Sequence, residues 1–135
     1  MSSVVYAREE NLSAEEFIDV LRRSGLDERR PVGDRSRIDR MLAHANLIIT
    51  ARDAGRLIGV SRALTDFAFC CYLSDLAVDK QYQRGGIGKR LIEETHGAAG
   101  PETACILLSA PGAMGFYRTI EMPQADNAFV LPRER

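Results

Sequence analysis

From Leu76 to Ile92 the chain reads Leu-Ala-Val-Asp-Lys-Gln-Tyr-Gln-Arg-Gly-Gly-Ile-Gly-Lys-Arg-Leu-Ile. Glycines at 85, 86 and 88 leave backbone amides uncovered, and Ile87, Leu91 and Ile92 fall on one side of a helix that begins inside the loop. A helix N-terminus carries about half a positive charge together with unpaired N–H groups, so a glycine loop feeding one is suited to hold phosphate. Arg84, Lys89 and Arg90 add cations at the same place. The alternative without chemistry is a glycine turn followed by a solvated basic helix start.

Two well-known phosphate loops do not fit. A Walker A loop requires glycine five positions before its Gly-Lys pair and Ser or Thr after it, where this chain has Gln83 and Arg90. A dinucleotide fingerprint requires a glycine three residues after Gly88, where this chain has Leu91. Thiol and metal chemistry find no support either. Cys70 and Cys71 are adjacent, so on a strand they point to opposite faces; Cys105 stands apart, and His44 and His96 lie far from any carboxylate cluster. The cysteines read as small fillers of a reduced core, and no metal is expected.

The elements that would position the loop follow from periodicity. Residues 3–8 suit a first strand. Ser13 and Glu16 form a capping box for a helix carrying Phe17, Val20 and Leu21, which Gly25 ends. After a joint at Pro31 and Gly33, Asp34 can cap a second helix with Ile38, Met41, Leu42 and Ala45 as its stripe. Residues 46–52 and 56–64 read as strands around a tight turn at Asp53-Ala54-Gly55, and 67–78 as the longest strand. The loop and a helix over 86–96 come next. A buried strand over 103–109, a short helix over 113–119 and a last strand at Phe129-Val130-Leu131 complete the order.

Composition bounds the possibilities. The chain has 135 residues with formal net charge −1, 45% hydrophobic and 27% charged. That suits one soluble domain spanning 1–135, with a core that needs no disulfide. Near-neutral charge argues against general nucleic-acid binding. The longest uncharged run, Thr103 to Tyr117, is 15 residues and is broken by Pro111 and Gly112, so no membrane span is expected. The start, Met1 to Tyr6, has no basic stretch followed by an apolar one, which predicts no leader and a cytoplasmic location.

Gln83-x-x-Gly86-x-Gly88, after a strand ending Asp75-Leu76-Ala77-Val78, resembles the Q/R-x-x-G-x-G/A signature of the GNAT superfamily of acyl-CoA-dependent N-acetyltransferases. Ala113-Met114-Gly115-Phe116-Tyr117-Arg118 is similar to the family's A-x-x-F-Y segment, and the order of elements matches over nearly the whole chain. The resemblance implies an α+β, three-layer α/β/α fold: a mixed, mostly antiparallel sheet of six to seven strands with a splayed central pair, flanked by about four helices. It implies acetyl-CoA as co-substrate, with its pyrophosphate on the loop from Gln83 and Arg84 through Gly85, Gly86, Ile87 and Gly88 to Lys89. The pantetheine arm would pair with Leu76, Ala77 and Val78 as an added strand. The amide of Ala77 or Leu76 would then receive the developing oxyanion.

Tyr117 would protonate the departing thiolate, which is feasible because phenol and thiol have pKa values of about 10 and 8.5. An alkylammonium acceptor is only about one part in 10³ neutral at pH 7, so its proton must go somewhere. Asp75 is the candidate base, its alternative being a structural carboxylate; Ser74 and Tyr72 could instead hold a water chain. Two positions depart from the family pattern: Ala110 where relatives often have asparagine, and Glu121-Met122 where a glycine-aromatic pair is usual. The expected activity is acetyl transfer to a primary amine of a small molecule by direct attack in a ternary complex; the alternative is a non-catalytic acyl-CoA sensor. The region of the first two helices carries Arg22, Arg23, Arg29, Arg30, Arg35, Arg37 and Arg40 against Asp19, Asp27, Glu28, Asp34 and Asp39, which reads as a solvated face of mixed charge or as a slight bias toward an anionic or zwitterionic acceptor. By analogy the apolar run 128–131 could join a shared edge in a homodimer.

Overall fold

Capping and apolar spacing set the first helices where the sequence places them. The computed structural model describes residues 3–135; Met1 and Ser2, at the head of the stretch read for a leader, lie outside it. Helix α1 (Ala14–Ser24) starts at Ser13, whose side chain accepts the Glu16 amide at 3.1 Å, and stops at left-handed Gly25. Only half of the capping box forms, because the Glu16 carboxylate instead takes Arg52 Nη1 at 2.6 Å. Asp34 caps α2 (Arg35–His44) by accepting the Arg37 amide.

Five strands form one sheet in sequence order: β1 (Val4–Arg8), β2 (Leu47–Asp53), β3 (Arg56–Thr65), β4 (Cys70–Val78) and β5 (Ala104–Ile106). All neighbours are antiparallel except β4 and β5, which run parallel. Ala54 and Gly55, both at positive φ, make the two-residue turn between β2 and β3. Helices α1 and α2 cover one face, with Phe17, Val20, Leu21 and Ile38 packed on Ile48, Leu57, Val60 and Ala77. Helix α3 (Ile87–Ala99) covers the other, with Ile87, Leu91 and Ala99 on Leu47, Ile49, Ala51, Ile58 and Cys71. A Cβ at Gly59 would lie 3.1 Å from Leu91 Cδ1, so glycine there lets α3 lie close on β3. A short helix, α4 (Met114–Thr119), ends the regular structure.

The α+β three-layer class holds, with five strands in place of six to seven. Three local expectations are corrected. The fourth strand begins at Cys70, because Asp66 gathers the amides of Ala68, Phe69 and Cys70 on its carboxylate and folds Phe67–Phe69 into a turn. The strand expected over 103–109 shrinks to three residues, with Ile106 and Leu108 more than half exposed. Phe129-Val130-Leu131 forms no strand: Phe129 is 97% and Leu131 98% exposed, and the next residue, Pro132, has no N–H to give a ladder.

Candidate active site

The glycine loop is held at both ends. At its entrance, Asp79 accepts the Gln81 amide at 2.8 Å and Arg23 Nη1 at 2.6 Å, while the Tyr82 hydroxyl donates to Asp53 at 2.7 Å. Gln83 turns back and donates from Nε2 to the Val78 carbonyl at 3.0 Å, tying the loop to the strand end. Gly86, at φ +81°, is the N-cap of α3, and no side chain caps that helix. The Arg90 amide is the first to find a helical carbonyl, that of Gly86, so the amides of Ile87, Gly88 and Lys89 face out of the helix end. A Cβ at Gly86 would meet nothing within 4 Å, so the chain is open on that side of the helix start. Arg84 and Lys89 are exposed beside it, but Arg90 is turned away, paired with Glu94 at 2.9 Å and stacked over the Tyr6 ring.

Gly88 serves a different purpose from its neighbours. A Cβ there would stand 2.8 Å from Phe116 Cζ, so glycine admits the Phe116 ring and brings α4 against the start of α3. Phe116 in turn meets Tyr117 edge to face, with ring centroids 5.0 Å apart. Tyr117 is half-buried; burial pushes its phenol above the ordinary value, with the Arg30 charge pulling the other way.

Strand β4 supplies an open edge next to the loop. Its pairing with β5 stops at Tyr72↔Ile106, and the register against β3 slips between Arg62↔Asp75 and Ala63↔Leu73, leaving Ser74 as the extra residue of a bulge. A bulge bends and twists its strand, which is why β5 falls away so soon. The Asp79 amide donates to the Ile58 carbonyl at 2.8 Å. In an antiparallel ladder the hydrogen-bonded pairs alternate, so Ala77 and Asp75 turn their backbone groups toward β3 while Leu76 and Val78 turn theirs toward the open side. The Val78 carbonyl is already held by Gln83, which leaves the N–H groups of Leu76 and Val78 facing the splay.

The bulge is clamped by groups that the motifs alone do not reveal. Asp75 is fully buried, and its two carboxylate oxygens take Nε of Arg30 and Nε of Arg62. Arg30 Nη2 also donates to the Ser74 carbonyl at 2.8 Å, and Arg62 Nη2 to Ser74 Oγ at 3.0 Å. The sequence does carry a signal for the Arg62–Asp75 pair: a charge inside an apolar strand must find an opposite charge to be buried. Nothing local points to Arg30, which arrives from the joint between α1 and α2. Thus the structure brings Leu76, Val78 and the loop together at one end of β4, with Tyr117 and Phe116 on a helix packed to that loop. Asp75 lies under the strand, out of contact with solvent. Among the described residues no cluster of His, Cys, Asp and Glu could hold a metal ion, and no helix is long and apolar enough to cross a membrane.

Residues 23–126 match the family profile described as the acetyltransferase (GNAT) domain. Solved structures share the fold. A protein of unknown function from meticillin-resistant Staphylococcus aureus superposes with a TM-score of 0.77 at 20% identity, over 98% of this chain and 100% of that one. A GNAT-family acetyltransferase from Streptococcus pneumoniae gives 0.70 at 21% identity, over 98% and 100%. An aminoglycoside acetyltransferase from an uncultured soil metagenomic sample, in complex with sisomicin, gives 0.70 at 22% identity, over 98% and 95%. No curated protein matches the chain.

Proposed function

The chain belongs to the GNAT acetyltransferase family, and from that premise we propose that it moves an acetyl group from acetyl-CoA to a primary amine of a small molecule, by direct attack within a ternary complex. The observation that carries this is the junction of an uncapped helix start with an open strand edge: the amides at the head of α3 have no side-chain cap, and beside them the Leu76 and Val78 amides face the splay. A diphosphate fits the first feature, since the space beside Gly86 is open and exposed Arg84 and Lys89 flank the helix start. An amide-bearing arm fits the second, pairing as a further strand would.

Acetyl-CoA supplies an activated acyl group whose leaving group is a thiolate. The residues of the chain would do the rest. The Leu76 N–H takes the negative charge that develops on the thioester oxygen; the Ala77 amide is turned toward β3 and is the weaker candidate. Tyr117, a phenol that burial holds above its ordinary value, donates its proton to the departing sulfur. We assign Asp75 to positioning, because both of its oxygens are held by guanidinium groups in a site without solvent. Ser74 and half-exposed Tyr72 line the route by which water would carry the acceptor's proton away. The aminoglycoside acetyltransferase of the same fold supports a small-molecule acceptor.

The test is calorimetry with acetyl-CoA, coenzyme A and ATP, followed by a screen of amines for thiol release. The expected result is acetyl-CoA binding at about micromolar affinity, no ATP binding, and thiol release with at least one amine. Absence of acetyl-CoA binding would overturn the assignment, whereas binding without turnover on any amine would favour the sensor.

A further inference from the structure

We propose that the hollow beside the Arg29-Arg30-Pro31 joint is an anion-binding site, and that the acceptor is an amine carrying a carboxylate or phosphate at its other end. The amine half rests on the acyl-transfer function above; the anion half rests on the hollow itself. It is a shallow depression, open to solvent, of about 260 Å³, room for the charged end of a small ligand. Arg29, Arg30, Arg37, Arg133 and Arg135 line it, with Glu134 as the one acidic residue among them.

A chain of net charge −1 thus concentrates positive charge at one place. Among the described residues, Arg29, Arg37, Arg133, Arg135 and Glu134 make no ion pair; Arg30 alone is paired, with Asp75, and Asp75 is shared with Arg62. Guanidinium groups gathered around one hollow repel one another unless an anion screens them, and their planar forks match carboxylate and phosphate oxygens two at a time.

The part of the site between Arg29 and Arg37 is built on fixed backbone, whereas Arg133, Glu134 and Arg135 reach it from the exposed, irregular tail. The Val32 amide donates to the Arg30 carbonyl at 2.9 Å and the Asp34 amide to Pro31 at 3.0 Å, while the Asp34 side chain holds the Arg37 amide. The head of α2 is therefore capped, and among the described residues the free donors are the side chains of Arg29, Arg37, Arg133 and Arg135, because Arg30 is engaged with Asp75, the Ser74 carbonyl and, from Nη1 at 2.7 Å, the Arg29 carbonyl. The hollow lies on the side of α1 and α2, across the sheet from α3 and its phosphate loop. Arg30 connects it to the reacting end: the same guanidinium touches Asp75 and the Ser74 carbonyl, and its charge reaches the Tyr117 phenol. A ligand whose anion sits among these arginines would extend its amine toward the bulge of β4.

Inorganic phosphate titrated into the protein saturated with coenzyme A reads the hollow alone, because coenzyme A occupies the loop. Phosphate should bind, and in the double variant Arg37→Ala/Arg133→Ala its affinity should fall about tenfold or more, with acetyl-CoA affinity unchanged. An unchanged phosphate affinity in that variant, or a phosphate site that vanishes when coenzyme A binds, would overturn the anion site. If coenzyme A does not bind, the function above fails, and comparing wild type with the double variant in ligand-free protein still decides the hollow. Acceptor pairs with the same number of carbons then test the substrate class: β-alanine against propylamine, and O-phosphoethanolamine against ethanolamine. The anionic member should show a kcat/KM at least about tenfold higher, with the advantage lost in the double variant, and the better of the two anions names the group. Equal kcat/KM within both pairs would overturn the assignment of an anionic acceptor.

Discussion

A phenol that protonates a leaving group must keep its proton until the bond breaks. Tyr117 is suited to this because burial raises its pKa, against the opposing pull of Arg30. Replacing Tyr117 with Phe should lower kcat by about 10- to 1000-fold and leave acetyl-CoA affinity within about twofold. The sign for pH follows from the direction of the shift. An acid whose pKa is raised stays competent further into alkali, so the alkaline fall in kcat should lie at or above about pH 10 and disappear in the Phe variant. An alkaline limb that survives in the variant would belong to another group. Asp75 poses the opposite problem, a charge that must stay where it is. Asp75→Asn leaves Arg30 and Arg62 without their counter-charge, and unfolding stability should drop by about 3–5 kcal/mol. Chemical denaturation separates this role from proton abstraction: a general base would lose turnover while stability stayed within about 1 kcal/mol.

Elements meet at this site through contacts that the motifs imply only in part. The glycine signature and the A-x-x-F-Y segment are distinct in sequence, yet Gly88 and Phe116 form one joint between α3 and α4. A methyl group at Gly88 would collide with the ring, so Gly88→Ala should cost about 1–3 kcal/mol and lower kcat by displacing the helix that carries Tyr117. Phe116→Leu in the same protein should recover part of both losses. Independent, additive effects in that double-mutant cycle would show that the joint does not couple the two helices. The capping residues Ser13 and Asp34, the Ala54-Gly55 turn and the helix after the loop were legible in the sequence because each is a local pattern. The bulge at Ser74 was not. It arises where β3 and β4 accommodate a buried Arg62–Asp75 pair, with Arg30 reaching in from a joint 45 residues earlier in the chain. Phe67–Phe69 misleads for a similar reason: apolar residues suggest a strand, but one carboxylate at Asp66 collects the amides of Ala68, Phe69 and Cys70 into a turn.

Over the whole molecule, the two halves of the site rest on unequal support. The loop and the Leu76 amide belong to a sheet whose first four strands pair along most of their lengths and are covered by helices on both faces. Tyr117 lies beyond β5, which is fastened to that sheet by three residue pairs, Cys70↔Ala104, Cys71↔Cys105 and Tyr72↔Ile106. Local opening costs least where few buried contacts and few ladder bonds must be broken. Amides of β5 and α4 should therefore exchange hydrogen with solvent faster than those of β2 and β3, by about two orders of magnitude or more. Equal protection across β2 to β5 would show a single cooperative unit. On warming, the proton donor would detach while the nucleotide-facing half still stands, so the protein would lose turnover several degrees before it lost its fold and would recover it on cooling. The short parallel pairing that opens the cleft is then also the fuse that disconnects it.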